Sequence, residues 1–188
     1  MELSEAIKSR KSVKNFTGKV PDWRKVIQAI DLARFAPMAG NIFSVKFTLI
    51  EDRKKIDKIA AASQQDFVSK AGSLIVVTSE RDKVKKMFDA NDKGFAQQQA
   101  GATIQNLLLA LTEKGIDSCW VGFFDDDLVR ESIKLPKGEE VEAVIAVGFA
   151  GKTPVARRPK ADLATMIYFE KFGTKKKEPE SFVRTEWA

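Results

Sequence analysis

Residues 95–114 read FAQQQAGATIQNLLLALTEK, which is the clearest helical pattern in the chain. Its inward face repeats every three or four residues and comprises Ala100, Thr103, Ile104, Leu107, Leu108 and Leu111. Gly115 follows directly, at a position where glycine commonly ends a helix. We therefore predict a helix that is buried nearly all round, either at the centre of the fold or at a dimer seam.

Four strand-like runs surround this helix along the sequence. Residues 45–50 alternate between apolar and polar side chains, and residues 73–78 (SLIVVT) form a β-branched run that is typical of the inside of a sheet. Residues 117–124 have the composition of a strand that ends in a loop, and residues 141–149 that of a further strand. Because strands and helices alternate along the chain, the sequence predicts a layered α/β or α+β domain.

Shorter helices are predicted between the strands. They cover residues 2–9, the stretch from Pro21 to near Pro37, residues 52–70, the segment that begins with the aspartates at 125–127, and a patch near Leu163. Residues 80–94 are charged and irregular, with Met87 and Phe88 as isolated apolar side chains. We expect that segment to lack regular structure, which makes it a candidate for a mobile lid.

Length and composition indicate a globular protein. The 188 residues are enough for one domain that buries roughly 70% of its unfolded surface. Hydrophobic residues make up 44% of the chain, yet no apolar run approaches the roughly 20 residues of a membrane span. The N-terminus lacks the basic and then apolar pattern of a signal peptide. We expect a cytoplasmic protein without a membrane partner.

The sequence contains no histidine and a single cysteine, Cys119. Without histidine there is no imidazole base, no histidine-dependent triad and no zinc site of the histidine-containing kinds. One cysteine excludes an internal disulfide and a cysteine-clustered metal site, so we predict no bound metal. An organic cofactor is then the simplest source of reactivity. Cys119 is predicted to be a small buried residue rather than a nucleophile, and Trp120 to belong to the core.

Residues 9–14 (SRKSVK) concentrate three cations and two hydroxyls. In an extended segment Arg10, Ser12 and Lys14 share one face, and in a helix Arg10 and Lys14 still meet at one turn's spacing. A guanidinium, a hydroxyl and an ammonium in one place suit a phosphate group. The alternative is a solvated basic edge. The net charge of +6 favours an anionic ligand only weakly.

Five short motifs follow one another along the chain. They are RKSVK at 10–14, PMAGN at 37–41, QNLLL at 105–109, CWVG at 119–122 and RRP at 157–159. In their order and spacing, the chain resembles the FMN-dependent nitroreductase family over nearly its whole length. Two departures from the family pattern lie in and just after the PMAGN motif. Met38 stands where the family often has serine, and residues 43–45 replace Gln-Pro-Trp, so a polar flavin contact is expected to be lost.

The resemblance implies an α+β fold, namely a three-layer α/β/α sandwich with a mixed, mainly antiparallel central sheet flanked by helices. It implies an intertwined homodimer with one FMN in each of two sites at the subunit interface. Residues 1–188 would form a single FMN-binding domain. Within it, residues 151–188 would be a C-terminal extension that contacts the partner subunit.

The resemblance also implies how the FMN phosphate is held. Arg10, Ser12 and Lys14 would hold the phosphate and the ribityl chain, with Lys11 in the same motif. Arg158, together with Arg157, would close on the phosphate from the far end of the chain. The fold would then have to bring the two ends of the chain together.

Other residues would surround the flavin ring. The loop residues Pro37, Met38, Ala39 and Asn41 would line the ring from the partner subunit. Gln65 would contact the pyrimidine edge, and the backbone amide of Gly122 would face the flavin N5. No side-chain acid or base is required, because FMN itself carries the chemistry.

The implied activity is a ping-pong oxidoreduction. NADH or NADPH reduces FMN and leaves, and a small electron-poor acceptor such as a nitroaromatic or a quinone then takes the electrons. One alternative is an FMN-binding protein without nitroreductase activity, which serves flavin storage or reductive dehalogenation. Another is a basic module that binds anions or nucleic acid. The sequence lacks a recognised nucleic-acid motif, so we expect no nucleic-acid partner.

Overall fold

The computed structural model divides the chain into two compact units, Met1–Val155 and Ala156–Ala188, and describes residues 1–152 of the first and 159–175 of the second. The helices of the first unit are α1 (Leu3–Ser9), α2 (Trp23–Ala33), α3 (Arg53–Ser63), α4 (Asp66–Ser69), α5 (Arg81–Phe88), α6 (Phe95–Glu113) and α7 (Asp126–Ile133). Its strands are β1 (Val45–Ile50), β2 (Ser73–Ser79), β3 (Asp117–Val121) and β4 (Glu140–Gly148). Short 3₁₀ turns cover Ala39–Asn41 and Asp89–Asn91.

The four strands form one sheet in the order β1-β2-β4-β3, and neighbouring strands are antiparallel. Beyond β3, Ser12 forms an isolated parallel bridge with Ser118. Phe16 forms an isolated antiparallel bridge with Ala150, just after β4. The predicted α+β fold with a mixed, mainly antiparallel sheet is therefore confirmed.

Apolar side chains of the sheet alternate between two separate cores. Leu74 and Val76 of β2 pack with α3, α4 and α7, whereas Ile75 and Val77 pack with α2 and α6. Each of these four side chains is completely buried, which stabilises the fold by about 1.5–3 kcal/mol per side chain. Helices thus cover both faces of the sheet and produce the expected three layers.

The central helix is confirmed as α6, and each of its six predicted inward residues is buried. Gly115 follows it with a φ of +69°, a conformation that glycine adopts without strain. The prediction of one helix over residues 52–70 was wrong in one respect. The backbone turns at Gln64 (φ +52°), which separates α3 from α4.

Residues 80–94 are more regular than expected. Residues 81–88 form α5, and the 3₁₀ turn over Asp89–Asn91 follows. The charged composition concealed an apolar face, because Val84 is completely buried and Phe88 lies four residues later on the same side. A lid function for this segment stays a prediction.

The third predicted strand ends in a loop, as expected. The strand β3 stops at Val121, and Cys119 is buried as predicted, with 2% of its surface exposed. The assignment of Trp120 to the core was wrong, because 41% of its surface is exposed. Side chains alternate along a strand, so Trp120 points away from the core that receives Cys119.

In the second unit, the helix predicted near Leu163 is α8 (Leu163–Met166), which begins after the capping carboxylate of Asp162. The rings of Tyr168 and Phe172 lie 4.4 Å apart between their centroids, and the Lys175 ammonium lies 4.2 Å from the Tyr168 ring centre. Across the ranges described for both units, no helix is long and apolar enough to cross a membrane. The assignment of residues 151–188 as a partner-contacting extension stays a prediction.

Candidate functional site

The basic segment at residues 10–14 runs in an extended conformation after α1. Arg10 ends the helix with extended backbone angles, and the Val13 amide donates a 3.0 Å hydrogen bond to the Ser118 carbonyl of β3. Val13 is completely buried, whereas Ser12 and Lys14 on either side are exposed. The side chains of Ser12 and Lys14 therefore point away from Val13, as the extended alternative predicts.

The thiol of Cys119 is influenced by all three candidate phosphate ligands. Burial raises the pKa of Cys119, while the charge of Lys14, the Ser12 hydroxyl and the charge of Arg10 each act to lower it. All three groups therefore lie within interaction range of one sulfur atom. Lys11 is exposed and is not among the groups that influence this thiol.

Aromatic rings extend this cluster towards α4. The Lys14 ammonium lies 5.6 Å from the centre of the Phe67 ring, and Phe67 stacks on Phe16 with centroids 6.5 Å apart. Gln65 is half-buried and immediately precedes α4, two residues before Phe67. The fold thus brings the neighbourhood of Gln65 to Lys14. Its contact with a flavin stays a prediction.

The charges of the cluster are available to a ligand. Within residues 1–152 and 159–175, neither Arg10 nor Lys14 forms an ion pair with a carboxylate. A hydroxyl and two cations without a competing anion match the donors that a phosphate dianion requires. The residues present therefore fit the phosphate end of FMN.

The loop at residues 37–41 is held by α6. The Ala39 amide donates a 3.1 Å hydrogen bond to Oε1 of Gln99, and Nε2 of Gln99 donates to the Ser44 hydroxyl. Gln99 is 3% exposed, so its amide is both buried and satisfied. Sequence reasoning missed this positioning role. The available signal was a glutamine four residues before Thr103, on the inward face of the central helix.

The same loop packs tightly against α5. Gly40 has a φ of +57°, and a Cβ added there would lie 2.5 Å from Sδ of Met87 and 3.3 Å from Cζ of Phe88. Phe88 in turn packs on Phe95 at the start of α6, with centroids 4.7 Å apart. Glycine at position 40 is therefore favoured by the backbone conformation, and a larger residue there would displace the Met87 side chain. Pro37 and Asn41 are exposed, and Met38 is half-buried.

Among the described residues, no hydrogen bond, ion pair or ring contact joins the basic cluster to the loop at residues 37–41. Gly122 lies just past β3, is exposed, and has Nε1 of Trp120 as the nearest atom to an added Cβ, at 3.9 Å. One chain therefore presents the predicted flavin ligands as two separate sets. Arg157 and Arg158 lie outside the described residues.

Large apolar side chains are exposed on α1, on α2 and just after α2. Leu3 and Phe35 are 67% and 68% exposed, and Ile7 and Leu32 are 53% and 45% exposed. A groove of about 330 Å³ lies beside them, lined by residues of α1, α2 and α6. Exposed apolar surface of this kind is typical of an interaction site.

Comparison with known proteins gives consistent results. The model of the nitroreductase family matches residues 7–149. A protein of Archaeoglobus fulgidus with the provisional name NADH dehydrogenase/NAD(P)H nitroreductase is 25% identical over 153 residues, which cover 79% of this chain and 85% of the relative. A protein of Methanothermobacter thermautotrophicus with the same provisional name is 22% identical over 161 residues, which cover 84% of this chain and 82% of the relative.

Solved structures share the fold. The crystal structure of a nitroreductase family protein from Clostridium novyi NT matches with a TM-score of 0.73 at 26% identity and covers 94% of this chain and 97% of that one. An FMN-dependent nitroreductase from Clostridium difficile has a TM-score of 0.77 at 19% identity, with 90% and 99% of the two chains covered. On the match over residues 7–149, the chain belongs to the nitroreductase family.

Proposed function

We propose that the protein is an FMN-dependent oxidoreductase that uses NADH or NADPH to reduce nitroaromatics, quinones or a related electron-poor acceptor. The observation that carries this proposal is the placement of Arg10, Ser12 and Lys14 beside β3, where Val13 pairs with Ser118. Among the described residues, neither Arg10 nor Lys14 has a competing carboxylate. Charge-assisted hydrogen bonds contribute about 1.5–3 kcal/mol each, so three or four of them would hold a phosphate dianion without a covalent link. Membership of the nitroreductase family supports the same activity.

FMN, when bound, would supply the ping-pong hydride chemistry between the nicotinamide donor and the acceptor. The protein's own residues would bind and orient it. Arg10, Ser12 and Lys14 would hold the phosphate, with Arg157–Arg158 closing on it. Gln65 would bond the pyrimidine edge. The Gly122 amide would donate towards the flavin N5 and stabilise the electron-rich reduced ring.

We further propose that each site is assembled from two chains of a cytoplasmic homodimer. The loop at residues 37–41 would line the flavin bound by the basic cluster of the other chain, with residues 151–188 contacting the partner subunit. The observation that supports this arrangement is that α1 and α2 expose large apolar side chains, which a partner chain would cover. Buried in a dimer, those side chains would leave water.

Absorbance of the purified protein tests the activity. We expect a yellow protein whose flavin band is bleached anaerobically by NADPH or NADH and restored by a nitroaromatic or a quinone. A yellow protein that neither nucleotide bleaches would instead support flavin storage or reductive dehalogenation. A colourless protein that does not bind added FMN would contradict the flavin proposal and favour a basic anion-binding module.

A further inference from the structure

The helix α5 carries the exposed lysines Lys83 and Lys86, which form no ion pair with any described residue, and it packs against the loop at residues 37–41, which is the proposed flavin loop. We propose that Lys83 and Lys86 bind the 2′-phosphate of NADPH, which makes NADPH the preferred electron donor over NADH. The inference rests on the proposed function and adds the identity of the donor and the residues that select it.

Contacts at both ends fix the position of α5. At its start, Arg81 binds the Glu142 carboxylate of β4 through two hydrogen bonds, from Nε at 2.8 Å and from Nη2 at 3.0 Å. At its end, Met87 and Phe88 pack against Gly40 of the flavin loop. Any group on the exposed side of α5 is therefore presented at a defined place next to that loop.

Helical geometry places the two lysines beside Met87. Lys83 lies one turn before Met87, and Lys86 lies three residues after Lys83, so Lys83 neighbours both of these side chains on the helix surface. Val84, which faces the core, is completely buried, whereas Lys83, Lys86 and Met87 are exposed. Met87 is the residue that touches Gly40, so the lysines lie beside the contact between α5 and the flavin loop.

Nearby carboxylates do not neutralise these lysines. In the ranges that the structure covers, neither Lys83 nor Lys86 forms an ion pair, although Asp82 and Asp89 belong to the same segment. Glu142 is bound by Arg81, and Oε2 of Glu80 lies 3.9 Å from the Lys46 ammonium. The two cations have no structural use in the described parts of the chain and are free to bind an anion.

The chemistry of the donor identifies that anion. NADPH differs from NADH by one phosphate monoester, which carries about −1.5 to −2 charges at pH 7. Lysine binds phosphate as a point charge, and two lysines one turn apart would bracket it. Two exposed ion pairs of about 0.3–0.7 kcal/mol each, the middle of their usual range, correspond to a roughly three- to tenfold preference for the phosphorylated nucleotide.

Binding to the FMN-loaded protein tests this assignment with two nucleotide fragments. Calorimetry at low salt would compare adenosine 2′,5′-bisphosphate with 5′-AMP for the wild type and for the double variant Lys83→Gln/Lys86→Gln. A matched control is Lys55→Gln/Lys58→Gln on α3, because these lysines are also exposed and three residues apart. We expect the wild type and the control to bind the bisphosphate three- to tenfold more tightly, and the α5 variant to lose that preference.

Equal binding of the two fragments by the wild type, or a preference that survives in the α5 variant, would overturn the inference. Loss of the preference in the α3 control would also overturn it, because the effect would then reflect net charge alone. Anaerobic bleaching separates this result from the proposed function. Equal rates with NADPH and NADH would reject the selectivity and keep the oxidoreductase, whereas bleaching by neither would reject the oxidoreductase.

Discussion

The Gly151 amide donates a 2.8 Å hydrogen bond to the Asn15 carbonyl. The Thr17 amide donates to the Phe149 carbonyl at 3.0 Å, so the end of β4 is tied to the segment that follows Lys14. The chain therefore leaves β4 next to the basic cluster.

The first prediction concerns the closeness of this contact. A Cβ on Gly151 would lie 2.8 Å from Nδ2 of Asn15, so Gly151→Ala should displace the Asn15 side chain next to Lys14 and weaken FMN binding several-fold. Titration of the apoprotein with FMN measures the effect. Asn15→Ala in the same chain removes the clash and should restore binding. A loss that Asn15→Ala does not reverse would show that the spacing of these segments does not control the phosphate site.

The second prediction concerns Arg10. Arg10→Ala should weaken FMN binding about ten- to a hundredfold, because the phosphate loses a charged donor contributing about 1.5–3 kcal/mol. The control is Lys58→Ala on α3, which removes an equal charge from a residue that is not a proposed FMN ligand. If both variants bind FMN as the wild type does, Arg10 is not a ligand.

The third prediction concerns the ion pair that anchors α5. The Glu142 side chain is 7% exposed and that of Arg81 is 39% exposed, so breaking the pair leaves a largely buried carboxylate without its partner. Arg81→Ala should lower the free energy of unfolding by about 1–3 kcal/mol, a value reduced from that of a fully buried pair because Arg81 is partly solvated. Urea denaturation measures it. In a double-mutant cycle with Glu142→Ala, simple additivity would contradict the coupling.

The fourth prediction concerns the pH dependence that Cys119 produces. Burial raises the pKa of this thiol in the folded protein, so the unfolded chain loses the proton first as the pH rises. The contribution of Cys119 to stability should therefore be present below the ordinary thiol pKa and decrease above it. The difference in unfolding free energy between wild type and Cys119→Ala, measured from pH 7 to pH 10, should shrink with rising pH. A difference that stays constant over this range would show that burial does not raise the pKa of the thiol.

Much of the fold could be predicted from the sequence because burial imposes regular patterns. The inward face of α6 is buried with the helical period that the sequence displays directly. The continuous β-branched run of β2 is buried throughout, as such a run predicts. The helix α5 was not predicted because its packing depends on residues that are distant in the sequence. Arg81 binds Glu142, sixty-one residues away, and Met87 contacts Gly40. The exposure of Trp120 was not predicted because the sequence does not show that β3 lies at the edge of the sheet.

The candidate site was predictable only in part. The alternation of Arg10, Ser12 and Lys14 followed from strand geometry once the segment was taken as extended. Their position next to Cys119 on β3 depends on the pairing of Val13 with Ser118, which lies more than a hundred residues later in the sequence. The support that Gln99 gives to the loop is likewise a tertiary contact, visible beforehand only as a polar residue on an apolar face.

The central claim is that each flavin site uses two chains, and hybrid dimers test it most directly. One chain would carry Arg10→Ala, which removes a phosphate ligand. The other would carry Ala39→Trp, which fills the space proposed for the flavin ring. Each variant alone should give a folded dimer with little bound FMN. In the hybrid, one site collects both defects and the other has none, so flavin content should recover to about half of the wild-type value. A hybrid as empty as its parents would place the whole site within one chain and contradict the account.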